Sequence, residues 1–324
     1  MARLPIGVIG VGALGRHHAR HLARSADAAL VGVHDLSPAR GREVADACGV
    51  RFYPDLDALL AEVEAVTVAV PTAAHAEIGL RALERGRAVL MEKPLAATLE
   101  EADGLVRAAE RRGIPLQVGH VERFNRAVRA ARPHLGEARY IESDRLAPFQ
   151  PRGTDVAVVL DLMIHDLDLI LHLTGGAEAT DVRASGVAVL SPHLDMANAR
   201  VEFASGAVAN VTASRIARER VRRIRIFQPN GYLSLDLASG VGEFMRLRHG
   251  WREAGVAGLP ELVERIPLDV PADDALRLEL ESFVRSVRGG AETVVTGAEG
   301  RAALALALRV TEAVHRVPAP FPGL

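Results

Sequence analysis

Residues 4–15 read LPIGVIGVGALG, and a helical stretch, Ala13–Arg24, follows at once. Ile6–Val11 is apolar and β-rich, so the glycines at 10, 12 and 15 fall where a strand gives way to a helix. That context makes the pattern Gly10-x-Gly12-x-x-Gly15 specific, because each glycine then has a physical task. Gly10 permits the tight turn, Gly12 lets a pyrophosphate approach the backbone, and Gly15 packs helix on strand. The turn through Ala13 and Leu14 leaves free N–H groups and the positive end of a helix dipole for phosphates. Gly10, Gly12, Ala13, Leu14 and Gly15 are therefore candidate cofactor-binding residues.

Asp35 ends a second strand, Leu30–His34, twenty residues beyond Gly15. A carboxylate there accepts hydrogen bonds from a ribose 2′-OH and repels a 2′-phosphate, which favours NAD over NADP. Arg40 and Arg42 nearby would soften that preference. Ser37-Pro38 supplies an N-cap and first-turn proline for the next helix. Further strands are expected at Arg51–Tyr53, Val66–Val70, Ala88–Met91 and Leu116–Gly119. Helices are expected at Ala73–Arg85 and, from a Thr98/Glu101 capping box, to Arg112. This alternation predicts a doubly wound parallel sheet over residues 1–122, a Rossmann domain. Pro71, Thr72, His75 and Glu92 lie after or at the carboxyl ends of its strands, where cofactor contacts are expected. His75 reads equally well as an ordinary helix-start residue.

Beyond residue 122 the pattern changes. One very apolar helix is expected from about Asp155 to Leu173. Strands with period-two alternation follow at Ala199–Phe203, Ala207–Ser214, Arg222–Gln228 and Tyr232–Leu237, with Asn230-Gly231 as a hairpin turn. Helices return at Asp274–Arg288 and Ala298–Arg316. Residues 123–324 are thus expected to form an α/β domain with a large open, mostly antiparallel sheet.

Composition narrows the function. Across 324 residues the net charge is −2 and aromatics make up 4%. A nucleic-acid partner would call for a basic surface or stacking platforms, so neither duplex nor single strand is expected. No apolar run is long enough for a membrane span. The glycine-broken N-terminus reads as a strand and not as a signal peptide. With Cys48 the lone cysteine, a cytoplasmic protein is expected.

Of 39 cationic side chains one alone is lysine, Lys93, and it lies in Glu92-Lys93-Pro94 at a strand's carboxyl end. A compact ammonium at close range is not replaced by the larger, planar guanidinium. The second cluster is Asp161, His165, Asp168 and His172, whose spacing puts them on a narrow arc of an otherwise apolar helix. Such a stripe must be paired, solvated in a cleft or bound to something. An internal Asp–His pair is one alternative. A metal site is another, but it lacks clear third and fourth ligands.

The glycine turn, Asp35, the Glu-Lys-Pro strand end and Asp161-x-x-x-His165 together resemble the glucose–fructose oxidoreductase/inositol dehydrogenase/rhizopine-catabolism (Gfo/Idh/MocA) family over essentially the whole chain. The resemblance implies NAD as cofactor and Lys93, Asp161 and His165 as the catalytic set. It also implies a homodimer or homotetramer formed through the open sheet, and a Lys93–Pro94 bond that is often cis in relatives. Met163 departs from the glycine that many relatives carry there. The segments Gly119–Asn125, Arg145–Phe149 and Arg152–Val156 are similar to the branch that oxidises the 3-hydroxyl of UDP-N-acetylglucosamine. That likeness implies Arg123, Asn125, Arg145 and Arg152, with Lys93, Asp161 and His165, as substrate-binding residues. Guanidinium forks suit its phosphate oxygens. The alternatives are a dehydrogenase of a free polyol or sugar, or a non-catalytic cofactor-binding regulator.

Overall fold

The computed structural model describes residues 2–150, 156–248 and 262–315. The chain divides into two compact units, one of residues 1–121 with 273–304, the other of 122–272 with 305–324. The sequence boundary at 122/123 therefore needs an addition, because a C-terminal segment packs with the N-terminal unit.

In the first unit, six parallel strands run in the order β3-β2-β1-β4-β5-β6. They are β1 (Leu4–Ile9), β2 (Ala28–His34), β3 (Arg51–Phe52), β4 (Ala65–Val68), β5 (Ala88–Glu92) and β6 (Leu116–Gly119). β4 and β5 are buried along their whole length, as strands covered on both faces must be. The order reverses between β1 and β4, the crevice where doubly wound sheets take their ligands. Helices α1 (Gly15–Ala23), α2 (Pro38–Cys48), α3 (Leu56–Glu62), α4 (His75–Glu84) and α5 (Leu99–Arg112) connect the strands. Ser37 caps α2 by accepting from Arg40 N–H, and Thr98 with Glu101 forms the capping box of α5. The short helix α3 has no counterpart in the sequence expectations.

The returning segment closes this unit. Leu280, Phe283 and Val284 join the core made by Leu4, Ile6, Ala19 and Leu22. At Gly300 a β-carbon would stand 2.4 Å from Val118, so the glycine permits close approach to β6.

The second unit holds an eight-stranded sheet, β14-β13-β12-β11-β7-β10-β9-β8. Its strands are β7 (Tyr140–Leu146), β8 (Ala179–Val187), β9 (Met196–Phe203), β10 (Val208–Ser214), β11 (Val221–Gln228), β12 (Gly231–Asp236), β13 (Val241–Leu247) and β14 (Val263–Leu268). Only the β7–β10 pair is parallel. Helices α6 (Arg126–Ala131) and α7 (Ile164–Leu173) pack on one face. On the other lie Tyr140, Phe227 and Tyr232, with Glu142 paired to Arg225. Helices α8 (Ala275–Val287) and α9 (Gly297–His315) complete the described chain.

The central strand β7 went unpredicted because YIESDRL carries too many charges to look buried. The long apolar helix also differs from expectation: Val159–Met163 form a π turn before α7 begins. Of the predicted four-residue stripe only Asp161 lies in that turn; His165, Asp168 and His172 share the regular helix and differ in depth, with Asp168 buried and His172 exposed.

Candidate active site

In the first unit every predicted cofactor residue follows or ends a parallel strand, so all occupy one sheet edge. Gly10 has φ +79°, and a β-carbon there would meet the Ala69 carbonyl oxygen at 2.7 Å. A β-carbon on Gly15 would stand 1.8 Å from the Gly10 oxygen, which makes any side chain impossible without rebuilding the turn. At Gly12 a β-carbon would meet nothing within 4 Å. Internal packing therefore does not require that glycine, whereas a ligand seated against the backbone would. The N-cap Leu14 offers α1 no side-chain hydrogen bond, and the first turn has no acidic residue. The N–H groups of Arg16, His17 and His18 donate to the Gly12 and Leu14 oxygens, so contact with an external anion falls to the N–H groups of the glycine turn itself, and the residues present fit a dinucleotide.

Asp35 is held by more groups than its position in the sequence suggests. Its carboxylate accepts from Val11 N–H at 2.9 Å and Ser37 N–H at 2.8 Å. Arg40 adds a bidentate pair at 3.0 and 2.7 Å, while Arg42 lies over the Phe52 ring. Burial alone would push the Asp35 carboxyl up. The hydrogen bonds from Arg40, Ser37 and Val11 outweigh it and hold the group below the ordinary carboxylate range.

His75 is buried, with Nδ1 at 2.8 Å from the Pro94 oxygen and Nε2 at 3.0 Å from the Val70 oxygen. A carbonyl oxygen thus faces each ring nitrogen, and the neutral ring donates its one N–H to one of them, between the segment after β4 and the one after β5. Burial lowers its pKa despite those carbonyls. Pro71 and Thr72 open the short turn before it. Glu92, buried at the end of β5, contacts His18 Nε2 at 3.0 Å and accepts from the Lys93 N–H at 3.3 Å. His18, one turn into α1, drew no notice in the sequence, since nothing local announces its partner. A β-carbon on Gly119 would press on the Glu92 carboxylate at 3.0 Å. Lys93 itself is half-buried, and the Lys93–Pro94 bond is cis, as expected.

In the second unit Asp161 lies within the π turn and His165 in the first turn of α7, both half-buried. Asp168 lies deeper than either. It is buried and takes a bidentate pair from Arg123 at 2.6 and 2.8 Å. His172 is exposed. Arg145 is likewise buried: it donates to both Asp166 oxygens, at 2.6 and 3.1 Å, and to Glu122 at 2.9 Å. Burial would lower the Arg145 pKa, but Asp166 and Glu122 raise it; burial pushes the Asp166 carboxyl up in spite of Arg145. Asn125 donates to Glu122 and to the Leu237 oxygen while capping α6. The forks of Arg123 and Arg145, expected to grip phosphate, here grip carboxylates of their own chain, and Arg152 lies outside the described residues. Buried charges persist only when matched in this way. Among the described residues no group of three His, Cys, Asp or Glu could hold a metal ion, and no helix is long and apolar enough to cross a membrane.

The profile of the Gfo/Idh/MocA oxidoreductases, with their NAD-binding Rossmann fold, matches residues 4–120, and that of the family's C-terminal domain matches residues 126–234. The chain belongs to the Gfo/Idh/MocA family. Its fold and its glycine turn accordingly make it an NAD-binding oxidoreductase. Among Gfo/Idh/MocA proteins, it is 43% identical to UDP-N-acetylglucosamine 3-dehydrogenase of Acidithiobacillus ferrooxidans, over 97% of this chain and 98% of that one. A solved structure of the same enzyme superposes with a TM-score of 0.89, covering 98% and 99% of the two chains at 41% identity. An inositol 2-dehydrogenase of Rhizobium meliloti is 27% identical over 93% of this chain and 94% of its own.

Proposed function

We propose that this protein oxidises the 3-hydroxyl of UDP-N-acetylglucosamine to a ketone with NAD as oxidant. The supporting observation is 43% identity, sustained over nearly the whole of both chains, to an enzyme named for that reaction. Bound at the glycine turn, NAD supplies the hydride acceptor. The protein's own residues bind, orient and manage the proton. His165 takes the hydroxyl proton, since an imidazole titrates near neutral pH. Asp161, four residues before it, orients the ring or steadies its cation. Lys93 donates a hydrogen bond to the reacting oxygen and favours the negative charge that develops there. His75 and Glu92 hold the backbone on either side of the Lys93–Pro94 bond.

NADH formation across a panel of UDP-sugars, free N-acetylglucosamine and myo-inositol tests the reading. Turnover is expected with UDP-N-acetylglucosamine, and preferential turnover of myo-inositol would overturn the substrate assignment. In the same assay Lys93→Arg is expected to keep NADH affinity while losing at least roughly a hundredfold in kcat. Normal turnover by that variant would remove Lys93 from the catalytic set. We further infer a cytoplasmic homodimer or homotetramer joined through the sheet face that carries Tyr140, Phe227 and Tyr232, testable by light scattering of the full-length protein.

A further inference from the structure

The buried pairing of Arg123 and Arg145 leaves open which cation of the second unit would meet a substrate phosphate. Arg222 stands directly opposite Arg145 on neighbouring antiparallel strands, so both side chains project from the same face of the sheet. That face carries α7, whose Asp166 holds Arg145 and whose His165 is the adjacent residue. Arg222 also lies near the carboxyl end of β7, paired with its penultimate residue.

Its electrostatic position is unlike that of its neighbours. The Arg222 side chain is 41% exposed, and among the described residues its carboxylate contact is Glu122 Oε1 at 3.7 Å. That oxygen already accepts from Arg145 at 2.9 Å, and the other Glu122 oxygen accepts from Asn125. The carboxylates facing Arg222 are Glu122 and Asp166, and both are engaged by Arg145, while Arg220 adds a further positive charge. Burial disfavours the charged form of Arg222, Arg145 adds to that, and Glu122 only partly offsets it. A guanidinium has five donors in a fixed fork, and an anion with two oxygens in a plane satisfies it.

We propose that Arg222 binds the diphosphate of the nucleotide-sugar substrate, an assignment that rests on the nucleotide-sugar reading above. Binding there lowers KM and leaves the chemical step largely to Lys93 and His165.

UDP is the probe, titrated calorimetrically into the full-length protein saturated with NADH so that the dinucleotide site is filled. Wild type is expected to bind UDP. Arg222→Gln should weaken UDP binding, and raise KM for UDP-N-acetylglucosamine, by about ten- to a hundredfold, the worth of a charged hydrogen bond. kcat should stay within about threefold, the mark of lost ground-state binding. NADH affinity should not change, and Arg222→Lys should recover part of the UDP affinity. Equal UDP affinity in wild type and Arg222→Gln overturns the assignment while leaving the nucleotide-sugar reading intact. If wild type binds no UDP, both fall. A loss of UDP affinity in Arg222→Gln that comes together with a drop in thermal midpoint and in kcat would make the residue structural and likewise overturn the assignment.

Discussion

Gly12 and Gly15 share a motif yet answer to different forces. Gly15 is required by the protein, since its β-carbon would collide with the Gly10 oxygen. Among the described residues nothing requires Gly12, since its β-carbon would enter open space. Gly15→Ala should therefore lower the thermal midpoint or abolish folding. Gly12→Ala should leave the midpoint close to wild type and weaken NADH binding. Differential scanning fluorimetry with and without NADH separates the two, and equal destabilisation by both would sink the distinction. Arginine shows the same contrast: Arg123 and Arg145 are internal struts, whereas Arg222 has charge to spare, and residue type alone distinguishes none of them.

The segment leading into the π turn is tied down by one carboxylate. Asp195 accepts from Val189, Leu190 and Ser191 N–H at 2.7, 2.6 and 3.0 Å, and Arg215 lies 3.2 Å away. Arg215 in turn donates to the Val156 and Leu194 oxygens, and Val158 N–H donates to Leu194. Burial opposes the charge on Asp195, but the three backbone N–H groups and Ser191 outweigh it and hold the carboxyl down at about 2. A depressed folded-state pKa stabilises fully above the ordinary value of 3.8 and loses that contribution as pH falls toward 2. Asp195→Asn should thus be less stable than wild type at neutral pH, with the gap closing between about pH 4 and pH 2. Urea midpoints across that range check it, and a constant gap would show that Asp195 does not titrate as described. A wound-out turn next to such a clamp suits a functional helix start, where π turns are often found.

At the scale of the whole chain, the N-terminal unit is not a contiguous stretch of sequence. Leu280, Phe283 and Val284 of α8 fill its core, and Gly297 and Gly300 of α9 bring that helix against Leu116 and Val118. A fragment of residues 1–122 would expose the surface those side chains cover, at a cost of roughly 1.5–3 kcal/mol for each large apolar side chain removed. Expressed alone, it should aggregate or bind a hydrophobic dye, whereas the full chain should not. A monomeric, cooperatively unfolding fragment would show that the returning helices are dispensable.

The parallel sheet, the glycine turn, the Glu-Lys-Pro strand end, the Thr98 capping box and the Asn230-Gly231 hairpin were legible in the sequence. Each follows from rules that act within a few residues: alternation, φ, capping and turn chemistry. Fold class and cofactor were therefore determined locally. The use of each arginine, the His18–Glu92 contact, the different depths of the four residues in the predicted stripe and the return of residues 273–304 were decided only by the tertiary structure. Each depends on which distant group comes within reach. A buried charge settles on a partner only after the chain has brought carboxylate and guanidinium together, and no spacing in the sequence records that meeting.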